Sequence, residues 1–448
     1  MRTVHSPRST RVGPPGPAVQ RKPNGGEPRR TARRSVVPDC RLSPWAGAGS
    51  GRMGGRGAVT ALGRRGPMFD QQARLERVLE RHPDAVMVEV VPGRPALVRR
   101  DQILVAGHDA GAAEDLVRRW YDSRHDERGL TRLRLRAPAK VDVCELAVQL
   151  SGSGRHRRLS VSPNHLVQGQ PMWWSGPADL PRPAPPVAAP VAEPGSARED
   201  VTVAILDTGL SPHPWYEKAD WFREQSDEVA EVLDGDLDFE LDAQAGHGTF
   251  IAGVVLRHAP GARLRARRVI GGDGIGDEAD VIRALAWLAD WGGADVVNIS
   301  LGCHTFDDRP SPVLSQALAA LGRRTVVVAC AGNAATDRPF WPAALKQVIG
   351  VAALDGDDRA PFSNYGWWVD ACAPGVDVAS SYVRFADART RFDGYATWSG
   401  TSFAAPAVAG RIAGLAARDG LDAVTAADRV LDPAHRSTLP DLGVIISS

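Results

Sequence analysis

The second half of the sequence predicts an α/β fold in which a parallel sheet is covered by helices on both faces. After residue 200, short apolar runs alternate with segments of helical periodicity. These runs are VTVAIL (201–206), ADVVNISL (294–301), TVVVACAG (325–332) and VIGVAAL (348–354). Strands that are apolar on both faces are typical of a sheet buried between two layers of helices. Functional groups in such sheets gather at the carboxyl ends of the strands.

Composition and charge divide the chain into two unlike parts. Of 448 residues, 43% are hydrophobic and 24% charged, as in ordinary globular proteins, and no apolar run is long enough to cross a bilayer. The net charge of +1 hides an asymmetry, because residues 1–67 hold 14 Lys and Arg against two Asp and Glu. That segment carries +12, which leaves −11 for residues 68–448. We expect two or three units and no membrane association.

Residues 1–67 are rich in Arg, Pro and Gly and have no helical or strand periodicity, so we expect a disordered tail. A basic tail can bind nucleic acid, but this one has almost no aromatic residues, and we expect no nucleic-acid partner. Translation starting at Met53 or Met68 is an open alternative, since an amphipathic pattern begins directly after Met68.

The cysteines and the N-terminal residues favour the cytoplasm. No apolar stretch of about 7–15 residues follows the basic start, as a secretory signal requires. The five cysteines are odd in number and include no CxxC pair, so we expect buried, reduced thiols. They are Cys40, Cys144, Cys303, Cys330 and Cys372.

Residues 68–170 predict a small α+β domain of the ferredoxin-like kind, an open sheet with two helices on one face. The expected elements are strands at 103–106, 130–136 and 159–167 and helices near 112–122 and 141–150. Residues 171–199 are dominated by Pro and Ala and predict an extended linker. The α/β domain then occupies residues 200–448.

The first two candidate site residues along the chain are an Asp and a His. Asp207, in Asp-Thr-Gly, follows the strand VTVAIL directly, and His247, in Gly-His-Gly-Thr, begins the apolar helical pattern FIAGVV. Each motif alone is weak, since an isolated Asp of this kind often caps a turn and a lone His is more often structural.

Ser402 supplies the third group. It lies in SGTSFAAP (399–406), at the start of a helix rich in small residues, where free N–H groups and the helix dipole favour a developing anion. A serine hydroxyl becomes a good nucleophile when a histidine removes its proton and a carboxylate orients that histidine. Asp207, His247 and Ser402 can fill these three roles.

Residues after two further strands complete the predicted site. Asn333, in Ala331-Gly332-Asn333, can donate its side-chain amide to an oxyanion, together with the N–H of Ser402. Ser300, Leu301 and Gly302, and with them Ala331 and Gly332, are the candidate substrate-binding residues, because backbone groups there can pair with an extended peptide.

Taken in order, the motifs DTG, HGT, SLG, AGN and GTSxAxP resemble those of the subtilisin-like serine protease family, over about residues 200–448. The resemblance implies a serine endopeptidase in which Asp207 orients His247, His247 is the base, Ser402 attacks, and Asn333 stabilises the oxyanion. The expected partners are polypeptide substrates. It also implies that residues 68–170 are a propeptide-like domain that folds and inhibits the enzyme, with 161–167 resembling the inhibitory strand.

Other interpretations remain open. Relatives often bind structural calcium, but we expect no metal or other cofactor here, and the acidic stretch 227–242 is expected to be a solvated loop. An aspartic protease also uses DTG but needs a second such carboxylate, which the sequence lacks. A pseudoenzyme or binding scaffold is the other alternative, although all three triad residues and Asn333 are present.

Overall fold

The computed structural model describes residues 71–136, 140–152, 158–169, 180–192, 197–198, 200–225, 229–387 and 390–446. The predicted tail at 1–67 and the first part of the predicted linker, 171–179, lie outside these residues. No helix in the described part of the chain combines the length and the apolar character needed to cross a bilayer.

The N-terminal domain has a βαββαβ core preceded by a helix and a short hairpin strand. Its helices are α1 (Gln71–Arg81), α2 (Ala110–Val117) and α3 (Val143–Gly152). Its strands are β1 (Ala85–Val88), β2 (Ala96–Val105), β3 (Tyr121–Glu127), β4 (Leu130–Leu135) and β5 (Val161–Gln168). The antiparallel order β3-β4-β2-β5 is the ferredoxin-like arrangement, and α2 and α3 share one apolar cluster beneath it.

Two elements of this domain differ from the sequence prediction. The helix expected near 112–122 ends at Val117, and the following segment is strand β3. Its sequence, YDSRHDE, has no apolar alternation, because none of the residues of this edge strand is fully buried. The strand expected at 103–106 is the end of the ten-residue β2, whose charged middle, Arg99 to Asp101, obscures the apolar pattern.

The C-terminal domain is the predicted parallel α/β fold. Its strands are β6 (Arg182–Pro183), β7 (Thr202–Asp207), β8 (Arg263–Arg268), β9 (Ile275–Asp277), β10 (Val296–Ile299), β11 (Val326–Cys330), β12 (Val348–Asp355), β13 (Asp358–Arg359), β14 (Ala371–Pro374), β15 (Val378–Ala386), β16 (Arg391–Trp398) and β17 (Val444–Ile445). Its helices are α4 (Asp220–Arg223), α5 (His247–His258), α6 (Glu278–Asp290), α7 (Pro312–Ala320), α8 (Thr401–Asp419) and α9 (Ala423–Val430).

The main sheet has the order β17-β14-β12-β11-β10-β7-β8, and these strands are all parallel, so their carboxyl ends meet at one edge. The helices flank the sheet, with α5 packed on α8 and α6 on α7. A large apolar cluster fills the space between them. Residues that follow β7, β10 and β11 are therefore brought to a common edge.

Strand β5 joins the two domains. It pairs with β2 of its own domain on one side and with β9 of the C-terminal domain on the other, so one antiparallel sheet runs across both. All eight residues of β5 are buried. The N-terminal domain is therefore attached to its neighbour through the pairing of its last strand with β9.

Candidate active site

Asp207 ends β7, and the turn after it depends on glycine. Gly209 has φ of 115°, and a Cβ there would lie 2.5 Å from the carbonyl oxygen of Val229. A Cβ on Gly248, in the first turn of α5, would lie 2.1 Å from the carbonyl oxygen of Gly209. The glycines of the DTG and HGT motifs thus let helix α5 approach the turn after β7.

This approach brings His247 to Asp207. His247 is the first residue of α5, after Gly246 in the left-handed conformation. Its Nδ1 lies 2.7 Å from Oδ1 of Asp207, and both side chains are about 1% exposed. Because a carboxylate can only accept, Nδ1 donates and Nε2 is left as the base. Thr208 also donates its backbone N–H to Asp207 Oδ1 at 2.8 Å.

Aromatic side chains surround the imidazole. The rings of Trp398 and Phe403 lie with their centroids 5.2 and 5.3 Å from that of His247. Both are buried, so water has little access to the hydrogen bond between His247 and Asp207. Since Phe403 follows Ser402 in the chain, the same packing brings the imidazole to the start of helix α8.

Ser402 is the second residue of α8, as the sequence predicts. The first N–H groups of a helix have no partner within it and favour an anion. In this structure the Ser402 hydroxyl donates to the backbone carbonyl oxygen of Ser300 at 3.2 Å. The hydroxyl hydrogen of Ser402 thus takes part in a long hydrogen bond, at the sheet edge where β10 ends.

Ser300 also compensates for the proline in helix α8. Pro406 has no N–H to donate to the carbonyl oxygen of Ser402. The side-chain hydroxyl of Ser300 donates to that oxygen instead, at 2.8 Å, and accepts a bond from Nδ2 of Asn298 at 2.9 Å. These bonds fix the backbone of the candidate nucleophile from outside its helix.

Asn333 follows β11 and is oriented by Thr401. Its Oδ1 accepts bonds from the backbone N–H and the hydroxyl of Thr401, at 2.8 and 2.9 Å. Since a backbone N–H can only donate, the amide oxygen must face Thr401, and Nδ2 is the group left to donate elsewhere. The predicted oxyanion donor therefore adjoins Ser402.

Ala331 and Gly332 use their backbone groups within the fold. Ala331 donates to Val351 and accepts from Asn364, while Gly332 donates to the hydroxyl of Thr401 and accepts from Asn364. A Cβ on Gly332 would lie 2.6 Å from Nδ2 of Asn364. Both residues shape the turn that presents Asn333, and their direct pairing with a substrate stays a prediction.

The predicted peptide-binding segment after β10 has mixed roles. Leu301 is fully buried in the core. Gly302 pairs with an extended chain, since it exchanges both backbone hydrogen bonds with Gln168 of β5, at 2.8 and 3.1 Å. A Cβ on Gly302 would lie 2.4 Å from the carbonyl oxygen of Trp341, so the segment has no room for a side chain there.

Gly302 forms one side of a cleft that holds the end of β5. The other side is strand β9, which the sequence analysis did not predict. Strand β9 pairs with β5 through Leu166 and Asp277, Val167 and Gly276, and Gln168 and Ile275. Gly169 also donates to the carbonyl oxygen of Gly274 at 2.9 Å. The signal was the glycine-rich segment GGDGIGDE (271–278), whose spacing leaves its backbone open to pairing.

Besides strand β9, the sequence analysis did not predict the role of Glu231. Its carboxylate accepts bonds from the hydroxyls of Thr208 and Thr249, and from the N–H of Gly246 at 2.8 Å. It thus joins the turn after Asp207 to the start of helix α5. Burial raises the pKa of Glu231 to about 7, against the lowering effect of these hydrogen bonds, and the charge of Asp207 raises it further.

The cysteines of the described region are buried and free, as predicted: Cys144, Cys303, Cys330 and Cys372. Cys330 adjoins the site, because it ends β11 and interacts with the side chains of Ser402 and Thr401. Burial raises the pKa of the Cys330 thiol to about 12, so it stays protonated at neutral pH.

One acidic cluster occurs in the described residues. Asp234, Asp236 and Asp238 offer carboxylate oxygens within 4.8 Å of one another. Asp236 forms an ion pair with Arg81, and the oxygens of Asp234 accept N–H bonds from Asp238 and Phe239 at 3.1 and 2.9 Å. A cation would have to compete with Arg81, and calcium binding stays an open prediction.

The site combines an Asp–His pair, a serine at a helix start and an asparagine amide beside that serine, all on a parallel α/β sheet. This combination defines a site of the serine-protease class.

Comparison with known proteins agrees with this class. The sequence pattern of the Subtilase family matches residues 198–438. Thermophilic serine proteinase of Bacillus sp. (strain AK1) is 36% identical over 241 residues, which cover 50% of this chain and 53% of that protein. Subtilisin BL of Lederbergia lenta is 36% identical over 239 residues, 51% of this chain and 80% of its own length. Thermitase of Thermoactinomyces vulgaris is 35% identical over 254 residues, covering 53% and 81%.

Among solved structures, a protease from Pseudoalteromonas arctica covers 56% of this chain and 88% of its own, with 25% identity and a TM-score of 0.45. The chain belongs to the subtilase family, the family of subtilisin-like serine proteases. It spans about half the length of the first of these relatives and four fifths of the other two. The match begins at residue 198, so it does not include the N-terminal domain.

Proposed function

We propose that this protein is a serine endopeptidase in which Asp207, His247 and Ser402 form the catalytic triad. The observation that carries the proposal is the buried 2.7 Å bond between Asp207 and His247, next to the first turn of helix α8, which contains Ser402. An oriented imidazole beside a serine at a helix start has one well-understood use, the activation of the hydroxyl as a nucleophile.

The acylation step starts with the hydroxyl of Ser402. This group exchanges its 3.2 Å bond to Ser300 for one to Nε2 of His247, which takes the proton as the oxygen attacks the substrate carbonyl carbon. Asp207 stabilises the imidazolium that forms. His247 then donates the proton to the leaving amine, and water repeats the sequence on the acyl-enzyme.

Asn333 and the backbone N–H of Ser402 are the proposed oxyanion donors. The amide nitrogen of Asn333 is free to donate because Thr401 engages its oxygen, and helix α8 adds a positive dipole end at the same place. Donors fixed before the reaction need no reorganisation when charge develops on the substrate oxygen.

Hydrolysis of an unfolded protein substrate tests this function. Wild-type chain and the variants Ser402→Ala and His247→Ala are compared by the release of new amino groups. We expect activity in the wild type, even if small, and a loss of at least about a thousandfold in both variants. Equal release by a folded Ser402→Ala chain would refute the proposal.

We further propose that the N-terminal domain is an intramolecular inhibitor of the peptidase domain and also assists its folding. The last strand of this domain, β5, lies in the cleft, where Gln168 pairs with Gly302 and Gly169 donates to Gly274. A substrate would need the same backbone groups, since extended peptides bind to sheet edges through main-chain bonds. The domain and a substrate therefore compete for one site.

Buried polar contacts hold this strand in place. His165 Nδ1 lies 2.7 Å from Oε2 of Glu278, and both side chains are at most 1% exposed. Beside β5, Arg99 of strand β2, 9% exposed, donates to Asp277 of β9 at 2.8 Å and links the two domains directly. Removing one partner of a buried pair leaves the other buried and unpaired, at a cost of about 3–5 kcal/mol, so substitution of His165 alone should weaken the docking of the domain.

A proline substitution tests the inhibition. Gln168→Pro removes the N–H that donates to Gly302, whereas Gln168→Ala keeps it. In the full chain we expect Gln168→Pro to raise hydrolysis of a small peptide severalfold and Gln168→Ala to leave it near the wild-type rate. An unchanged rate in both, from an active enzyme, would mean that β5 does not limit access.

Two further expectations stay proposals. We propose that the enzyme needs no metal for the reaction, because the roles assigned above use only side chains and backbone groups; chelation should leave peptide hydrolysis unchanged. We also retain the cytoplasm as the compartment, which fractionation of cells expressing the tagged chain would test.

A further inference from the structure

Strand β8 is an edge strand of the main sheet and has arginines on one face. Leu264 and Ala266 are buried, so the alternating residues Arg263, Arg265 and Arg267 lie on the opposite face. Positive charges on an edge strand discourage its pairing with another chain. Three arginines at alternate positions also concentrate positive charge on a small area of the surface.

Two tryptophans at the end of helix α6 contact these arginines. The rings of Trp287 and Trp291 stack on each other, with centroids 6.1 Å apart and planes at 12° or less, namely 9°. The guanidinium carbon of Arg267 lies 3.9 Å from the ring centroid of Trp287, and that of Arg265 lies 2.9 Å from the ring centroid of Trp291. Stacking on an indole fixes the plane of the Arg265 guanidinium, whose N–H groups lie at the edge of that plane.

The guanidinium of Arg265 has no carboxylate partner among the described residues. Glu224, the acidic residue that acts on it from a distance, forms its ion pair with Arg263, at 3.1 Å. Partial burial and the like charges of Arg263 and Arg267 lower the pKa of Arg265, against the opposite effect of Glu224. An anion bound at Arg265 would offset this repulsion and accept its N–H groups.

A cavity lies beside Arg265. It has a volume of about 190 Å³, and its lining includes Trp221, Trp291 and Gln225. Gln225 Oε1 accepts the backbone N–H of Ala266 at 2.8 Å, so the backbone of β8 is already engaged there and a partner does not add as a further strand. The cavity therefore suits an apolar or aromatic side chain whose neighbour in the peptide is acidic.

The charge of the chain favours a short acidic peptide over a long polyanion. Residues 68–448 carry −11, so this part of the chain as a whole repels an extended polyanion such as a nucleic acid. A short segment with a few carboxylates needs only the local positive charge of β8. Polypeptides that contain such segments belong to the substrate class proposed above.

We propose that Arg265 and the stacked tryptophans form a docking site, outside the catalytic cleft, for an acidic segment of a polypeptide substrate. An Asp or Glu carboxylate of the segment accepts a pair of N–H groups from Arg265, and a neighbouring apolar or aromatic side chain enters the cavity. This inference rests on the proposed function, because it takes the bound polypeptide to be a substrate. The site recruits the substrate and takes no part in the chemistry.

The first part of the test measures binding without hydrolysis, in the full Ser402→Ala chain. The probe is the peptide Glu-Glu-Bpa-Glu-Glu, in which Bpa is the photoreactive aromatic residue benzoylphenylalanine. A control peptide has Gln in place of Glu. Mass mapping should place the cross-link of the acidic peptide on β8 or on the end of α6, and it separates this site from binding to the basic residues 1–67.

A substitution of Arg265 decides whether this arginine holds the peptide. Arg265→Gln should raise the peptide concentration for half-maximal cross-linking at this site roughly tenfold, because a charge-assisted pair of hydrogen bonds is lost. Arg323→Gln, at an exposed arginine of the same domain, is the matched control and should leave it unchanged. Equal concentrations for Arg265→Gln and its parent chain, or equal cross-linking by the Gln peptide, would overturn the proposal. Arg265-dependent cross-linking of a photoreactive oligonucleotide, without cross-linking of the acidic peptide, would overturn it in favour of nucleic acid.

The second part measures hydrolysis in the full chain with Gln168→Pro, whose cleft should be open. An unfolded protein substrate is compared with the same protein carrying an appended block of glutamates. The block should lower KM severalfold with kcat unchanged, and adding Arg265→Gln should remove the difference. An equal KM for the two substrates would overturn the recruiting role. Hydrolysis of neither substrate would instead count against the proposed function, while cross-linking still decides whether the site binds acidic peptides.

Discussion

The hydroxyl of Ser300 donates to the carbonyl oxygen of Ser402 at 2.8 Å, in the place of the N–H that Pro406 lacks. Ser300→Ala would leave this buried oxygen, and Nδ2 of Asn298, without their present partners. We expect the free energy of unfolding to fall by about 1–3 kcal/mol. Urea denaturation in a Ser402→Ala background, which prevents self-digestion, measures the change.

Ser315→Ala is the matched control for this prediction. The hydroxyl of Ser315 also donates to a helix carbonyl, that of Ser311, at 2.8 Å, but this oxygen accepts the backbone N–H of Ser315 as well. Its loss should change stability by less than about 0.5 kcal/mol. Equal losses in the two variants would mean that Ser300 has no special role.

Asn333→Asp should separate the two functions of this side chain. The carboxylate keeps an acceptor for Thr401 but removes the donor to the oxyanion. We expect kcat to fall by about 10²–10³ with KM nearly unchanged, a magnitude taken from the same kind of donor in subtilisin. Steady-state kinetics on one peptide measure both constants. A rise in KM with kcat intact would contradict the oxyanion role.

Glu231 should make stability depend on pH. Its pKa is raised by burial from 4.5 to about 7, so between these values the unfolded chain loses a proton that the folded chain keeps. Stability must therefore fall as pH rises from about 4.5 to about 7, and this contribution is constant above. Glu231→Gln cannot titrate, and the wild-type stability should decline relative to it over that range. A parallel pair of curves from urea denaturation at about pH 5–8 would contradict the assignment.

Cys330 should resist thiol reagents although it lies beside Ser402. Burial raises the pKa of its thiol to about 12, and the thiolate is the reactive form. Iodoacetamide at about pH 8 should neither label Cys330 nor reduce activity, while the urea-unfolded chain should react. Stoichiometric labelling of Cys330 in the folded protein, located by peptide mass, would show that the site is more open than the structure indicates.

The sequence could single out Asp207, His247 and Ser402 as candidates because their positions follow from local patterns. Each lies directly after an apolar strand or at the start of a helix, and the parallel sheet brings such ends together. Asn333 could be predicted as a candidate for the same reason, since it follows β11. The Subtilase pattern confirms the family that these motifs predicted.

The features that could not be predicted from the sequence arise from packing between segments that are distant in the chain. Glu231 lies in an acidic stretch that resembles a solvated loop, and its role arises only when β7 and α5 come together around it. Strand β9 is short and pairs with β5, which lies far earlier in the chain.

Ser402 is proposed to be a nucleophile activated by His247 and Asp207. A fluorophosphonate probe, followed by mass mapping of the labelled peptide, tests it most directly in the full chain. We expect one label, on Ser402, which is absent in Ser402→Ala and forms much more slowly in His247→Ala and Asp207→Asn. A label on another residue, or equal labelling rates in a folded His247→Ala variant, would contradict it.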